Sequence, residues 1–311
     1  MIAFIDRIKD YLSEPVFPPA VFHLTRTCLS GIHYSKKEKK VTAHFILPLM
    51  TGILEPSFDK KNIQNAAALE KTLREGKAKL GQDGGGVTLL IPEICLRVFV
   101  LTFDSLPSSP AEREEILRWR LNKLVPFKSA DMRISYDVLK SNGQVKVLLA
   151  LARADVVREY ENLFSRLGLK VRTIGMPVLN LVGLVRFEKS GHAMIVNIEE
   201  DYVSLLAVLD GEVSLYRFKP FLQDSQNPMS PLQKMDQVVN EIENTVHFIE
   251  DHEKKKIGVV WVRAAVQRLD GGTASALKER LPSLKVAEFS APLPLRSQDQ
   301  QLLSPLIGQV L

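Results

Sequence analysis

Cysteine is scarce, with only Cys28 and Cys95 among 311 residues. Each sits in an apolar, strand-like run where a thiol behaves as a small hydrophobe, and neither belongs to a C-x-x-C spacing. This argues against a disulfide framework and a zinc site, and predicts a reducing compartment. The six histidines, His23, His33, His44, His192, His247 and His252, include no close pair at metal-ligand spacing. No G-x-S-x-G elbow occurs and Cys28 has no identifiable base, so nucleophilic hydrolysis lacks its parts. Glu241 and Glu243 lie two apart on a predicted helix and face different directions, which makes them solvated rather than an acid/base pair. No apolar run approaches the ~20 residues of a spanning helix and no cleavable leader opens the chain; the expected location is the cytoplasm. An excess of one charge is missing too. Lys and Arg number 41 against 36 Asp and Glu, a net +5, too small and too dispersed to argue for nucleic acid.

What is present is apolar material: 45% of the residues are hydrophobic, enough for one or two packed cores and, at this length, two lobes. Ile2, Phe4, Ile5, Ile8 and Leu12 recur at helical spacing with charged residues between them. This predicts an amphipathic N-terminal helix that docks on the protein itself, a partner or a membrane surface. After Pro18-Pro19 come three strands (20–28, 29–35 and 40–49) that read as an antiparallel meander. The basic run Lys36-Lys37-Glu38-Lys39-Lys40 is expected to be a solvated hairpin tip, with contact to anionic lipid as the alternative. A helix is predicted over 60–80. The glycines of 81–86 follow a helix and precede a strand, the inverse of a phosphate cradle, so a flexible turn is expected.

Ser109-Pro110-Ala111-Glu112 is a capping box with proline at the first helical position, predicting a helix from 110 to Val125 that Pro126 ends. Strand, helix, strand, strand, helix over 97–168 reads as an inserted subdomain, with a turn at Ser141-Asn142-Gly143. The second half repeats the opening: strands at 192–198, 202–209 and 212–219 with a hairpin turn at Asp210-Gly211. A capped helix follows from Ser230, then alternating strands and helices to the C-terminus. Such duplication marks the actin-like (ribonuclease H-like) two-lobed α/β fold. The expected organisation is an N-terminal helix and linker (1–18), a first lobe (19–175) containing the insertion, and a second lobe (176–311) with a reduced fourth subdomain.

Leu106-Pro107, Glu112 to Glu115, Leu121, Pro126-Phe127 and Tyr136-Asp137 resemble, in order and spacing, a signature of the PilM proteins of type IV pilus assembly. The resemblance continues through 164–169, Asp210-Gly211 with Arg217, Glu241-Ile242 with Thr245, and Gly308. It covers about three quarters of the chain, with the cytoplasmic domain of type II secretion GspL proteins as the alternative. The resemblance implies a PilM/FtsA-type actin-like ATPase fold with phosphates held by the turns after the first strand of each meander. Here those turns depart from the pattern. His23 to Ser30 lacks the carboxylate, glycine and lysine of the first turn. Glu199-Glu200-Asp201 stands at the second, where carboxylates repel a triphosphate by about a kcal/mol or more per pair. Arg263-Ala264 replaces the glycine pair that seats adenosine. Magnesium held by the acidic turn is the alternative that would retain nucleotide in a divergent ATPase. The expectation is a pseudo-ATPase with degenerate turns at Thr25, Glu199 and Arg263, no cofactor, and a scaffold role peripheral to the inner membrane.

The resemblance also implies that the cytoplasmic peptide of a PilN-like membrane protein docks between the first lobe and the insertion. The helix from Pro110 carries more apolar area than one packed face requires, so Leu117, Arg118, Trp119, Arg120, Leu121, Leu124 and Phe127 are the candidate partner-binding residues, with Trp119 as core filler the competing reading. Self-association is a further expectation.

Overall fold

Four apolar residues and His23 make β1 (Ala20–Leu24), a strand buried along its whole length. The computed structural model describes residues 17–139, 144–185, 191–221, 229–265, 272–289 and 296–311. From β1 the chain turns into β2 (Cys28–Ser35) and β3 (Lys40–Pro48), an antiparallel meander. On the other side β4 (Gly85–Leu90) and β8 (Leu169–Gly175) add in parallel, giving the order β3-β2-β1-β4-β8. Gly85 and Gly86, expected in a loop, instead begin β4 opposite Leu169 and Lys170. Gly85 has a φ of 93°, which only glycine adopts without strain.

The helix α1 (Ala66–Lys79) covers this sheet but starts six residues later than 60. Asn62 is the reason: its Oδ1 accepts from the Ser57 amide and its Nδ2 donates to the Ser57 and Lys60 carbonyls, each within 2.9 Å. A loop is thereby pinned where a first helical turn was expected. Asn65 then caps α1 by accepting from the Ala68 amide at 3.0 Å.

The second half repeats the plan. β9 (Ala193–Ile198), β10 (Tyr202–Leu209) and β11 (Glu212–Pro220) form a meander, and β12 (Val259–Ala264) and β13 (Val286–Glu288) extend it in parallel. The order β11-β10-β9-β12-β13 matches the first sheet strand for strand. Asp210 and Gly211, both at positive φ, make the expected hairpin turn. The helix α5 (Pro231–Glu253) opens with a complete capping box between Ser230 and Gln233, and α6 (Thr273–Arg280) links β12 to β13.

Between β4 and β8 the first lobe carries β5 (Leu96–Phe103), α2 (Pro110–Leu121), β6 (Met132–Leu139) and β7 (Val145–Arg153), a three-stranded sheet ordered β5-β7-β6 under one helix. Ser109 caps α2 by accepting from the Glu112 amide, but the helix ends at Leu121, four residues short of Val125, and tightens into a turn in which the Leu124 amide donates to Leu121 at 2.8 Å. The next helix, α3 (Ala154–Ser165), reads from the sequence as part of the insertion. Its apolar face packs instead in the first lobe's core, where Phe164 meets Phe22 edge-on at 5.4 Å. The insertion's own core is confined to 96–153 with Phe58.

Two elements join the lobes. They are α4 (Pro177–Leu181), continued by a 3-10 turn over Val182–Leu184, and α7 (Ser297–Gly308). By sequence α7 belongs to the second lobe, yet Leu303, Leu306 and Ile307 are buried against Val21, Ile32 and Leu90 of the first sheet. The two elements touch backbone to backbone: a Cβ on Gly308 would run into the Asn180 carbonyl, and one on Gly183 would stand 2.6 Å from the Gly308 carbonyl. The predicted N-terminal helix and the Ser141-Asn142-Gly143 turn lie outside the described residues, as do residues 222–228 of the stretch between Arg217 and Glu241 where the fourth subdomain is expected to be reduced.

Candidate nucleotide cleft and partner surface

Strand alternation decides what faces the gap between the lobes. Asn197 and Arg263 are paired in register on β9 and β12, so their side chains leave the sheet on one side, and Glu199, two residues on, follows. Arg263 Nη1 donates to Asn197 Oδ1 at 2.5 Å and forms an ion pair with Glu199; Nε donates to the Gln301 carbonyl of α7 at 2.6 Å. Arg263 is fully buried and Glu199 is 4% exposed. Two of the three turns singled out in the sequence, at Glu199 and Arg263, therefore contribute one internal ion pair rather than two separate surfaces.

The first-lobe turn is closed on itself. Thr25 Oγ1 accepts from the amides of Thr27 and Cys28, at 3.3 and 3.0 Å, and the Thr25 amide donates to the Cys28 carbonyl at 2.9 Å. On the other lobe the Glu199 amide donates to Tyr202 and the Ala265 amide to Ile198, both at 2.9 Å. Anion seats need unoccupied N–H groups pointing at the ligand, and these amides already have acceptors. His23 is buried beside them; burial, with the Arg263 charge adding, pushes its pKa well below the usual histidine value and holds it neutral.

The acidic turn does not converge on a cation. Glu199 pairs with Arg263, Glu200 with Lys234 at 2.7 Å, and Asp201 is buried separately. Among the described residues no cluster of three or more His, Cys, Asp or Glu side chains has an arrangement suited to a metal ion.

Glu93 was not singled out in the sequence. It opens a short 3-10 turn after β4 and is fully buried. Its carboxylate accepts from the Val178 amide (2.9 Å), Asn197 Nδ2 (3.0 Å) and the Tyr216 hydroxyl (3.1 Å). A first-lobe acid is thus held by second-lobe side chains and by the first turn of α4. Burial pushes its pKa up to about 7, and the Glu199 charge adds to the shift. Asp201 is likewise raised to about 7, by burial first and Glu199 second. The one sequence signal for Glu93 is an isolated acid in an otherwise apolar stretch.

The candidate partner residues divide. Leu117 and Leu121 are fully buried with Met132, Val147, Leu149 and Leu151. Phe127 is half-buried against Phe58, ring centroids 5.2 Å apart. Arg118 donates to Glu114 at 2.9 Å along α2. Trp119, Arg120 and Leu124 face outward. Trp119 is 58% exposed, outside the insertion's core, and Lys123 Nζ sits 3.6 Å from its ring centroid.

No protein-family model and no curated protein matches the chain. Solved structures do. The structure of a PilM-PilN type IV pilus biogenesis complex contains a chain similar at a TM-score of 0.76 with 14% identity, covering 95% of this chain and 97% of that one. A Bacteroides thetaiotaomicron protein with an actin-like ATPase fold matches at 0.54 and 11%, over 92% and 95%. The cytoplasmic domain of EpsL, an inner-membrane component of the Vibrio cholerae type II secretion system, matches at 0.52 and 10%, over 92% and 94%. With its two sheets of matching strand order, its crossing helices between the lobes and these likenesses over nearly its whole length, the chain has the actin-like ATPase fold.

Proposed function

We propose that this protein is a non-catalytic scaffold of a type IV pilus inner-membrane assembly platform, a pseudo-ATPase that binds the cytoplasmic peptide of a PilN-like membrane protein. The observation carrying the non-catalytic reading is the Arg263–Glu199 pair. It ties the second turn that would hold phosphates to β12, and its groups are bonded to Asn197 and to the backbone of α7. To admit a triphosphate, the fold must break a buried ion pair and bring the anion beside Glu199 and Asp201, two carboxylates whose repulsion at close range is unfavourable even when screened. The likeness to a chain of a PilM-PilN complex supports the partner assignment. A solvent-facing tryptophan on a helix of the insertion supports the docking surface, since exposed Trp is the residue type most enriched among binding hot spots.

Calorimetric titration tests both halves. Magnesium-ATP is expected to give no heat of binding, and a dissociation constant in the micromolar range would overturn the pseudo-ATPase reading. A synthetic PilN-like N-terminal peptide is expected to bind, and Trp119→Ala to weaken it roughly 30-fold, equivalent to about 2 kcal/mol. An unchanged affinity would move the peptide site off α2.

A further inference from the structure

The tip of the β2–β3 hairpin presents Lys36, Lys37, Lys39 and Lys40 to solvent, and the acid among them, Glu38, is bonded to Lys40 at 2.6 Å. Backbone pairing fixes what lies beside it. The Tyr34 amide donates to the Pro19 carbonyl at 2.8 Å, so the start of β1 adjoins the hairpin. The Gln82 amide donates to the Lys77 carbonyl and the Gly85 amide to the Gly168 carbonyl; Lys77 Nζ reaches the Leu167 carbonyl at 2.8 Å. Thus β1, β4 and β8 begin, and β2, α1 and α3 end, at one end of the first sheet, away from the Thr25 turn. Exposed Lys79 and Lys170 share that end. Lys36, Lys37, Lys39 and Lys170 have no ion pair among the described residues, while Glu38 and Glu75, two of the acids there, are already paired with Lys40 and Lys79. In a chain of net charge +5, this is a local concentration of uncompensated cations.

We propose that this end of the first lobe is a contact surface for anionic phospholipid. The inference is independent of the scaffold reading and needs neither peptide nor nucleotide. Ala20 begins β1 here, and the sequence preceding it sets Ile2, Phe4, Ile5, Ile8 and Leu12 at helical spacing. A basic cluster in a chain that also carries an amphipathic sequence supplies the two signals that make surface binding stable where either alone is marginal. Nucleic acid is the other polyanion to consider. Among the described residues no exposed aromatic side chain stands among these lysines to stack on bases, which single-strand binding requires, and α1 and α3 meet this end only by their C-termini rather than lying across it for a groove.

Vesicle flotation with the full-length protein decides the matter. Vesicles of phosphatidylethanolamine with phosphatidylglycerol are expected to carry the protein at low salt, and neutral phosphatidylcholine vesicles to carry far less. The triple substitution Lys36→Gln, Lys37→Gln and Lys39→Gln should lower partitioning roughly 100-fold, since each cation near an anionic surface is worth about fivefold, and the corresponding triple Lys→Glu variant, which also reverses the charge, should lower it further. These side chains make no ion pairs among the described residues, and a far-ultraviolet spectrum matching the parent's confirms folding. Deleting residues 1–14 should weaken binding while leaving the preference for anionic vesicles intact. Equal binding to neutral vesicles, unchanged binding by the folded glutamate variant, no binding by the parent, or displacement from the vesicles by an equal phosphate concentration of duplex DNA would each overturn the assignment.

Discussion

Arg263 on β12 and Glu199 after β9 form an ion pair with both side chains removed from water, one end of a polar network that runs through Asn197 to Glu93 on the other lobe. Burying such a pair adds little net stability, but removing one partner strands the other charge in a low-dielectric setting. Arg263→Ala is therefore expected to lower unfolding free energy by about 3–5 kcal/mol, measured by urea denaturation. The double replacement of Arg263 and Glu199 by methionine should recover most of that loss. If the single and double variants are equally unstable, the pair acts through something other than its charge.

Glu93 gives a defined pH dependence. Its pKa rises from the ordinary 4.5 to about 7 on folding, so between those values the folded state holds a proton that the unfolded chain releases, and its contribution to stability falls as pH rises through the window. Neutral His23 contributes the opposite slope below pH 6.5, and Asp201 the same slope as Glu93. Comparison of parent and Glu93→Gln isolates the term: the variant should gain stability relative to the parent from pH 4.5 to 7. A flat difference curve would show that Glu93 ionises normally.

Gly308→Ala places a methyl group against the Asn180 carbonyl. The contact is with backbone, which cannot rotate away, so the crossing of α4 and α7 must separate. The expected loss is about 1–3 kcal/mol or more, seen as a several-degree drop in the thermal midpoint. An unchanged midpoint would show that the two elements already move apart in solution.

The thiols should be silent in the native state. Burial pushes Cys28 up to about 11 and Cys95 up to about 12, and both side chains are buried. At pH 8 a thiol-reactive chromogen is expected to label neither until denaturant is added, when two equivalents react. Rapid labelling of one equivalent would reveal local opening near the Thr25 turn or the Asn62 loop.

Much of the architecture was legible because it follows from local rules. Alternation and turn chemistry placed the meanders, the Asp210-Gly211 hairpin and the Ser230 capping box, and the repetition of the pattern announced the duplicated fold. Local rules failed where a side chain had a distant partner. Asn62 delays α1 because its amide holds a loop. The Pro110 helix stops at Leu121 although its apolar spacing continues. For α3 the pattern named the buried face and not the core that receives it.

The candidate cleft divides in the same way. The sequence by itself determined that His23, Glu199 and Arg263 stand at the turns where the resemblance implies a carboxylate or glycine, with magnesium on the acidic turn left as the alternative. It left Trp119 between core filler and partner-binding residue. Only the tertiary structure decided that Arg263 and Glu199 neutralise each other, that Glu93 crosses to the other lobe, and that Leu117 and Leu121 are core while Trp119 faces out. The reason is physical: periodicity and capping act over a few residues, whereas the partner of a buried charge is fixed by strand register and by the packing of segments up to a hundred residues apart, as Glu93 and Asn197 are.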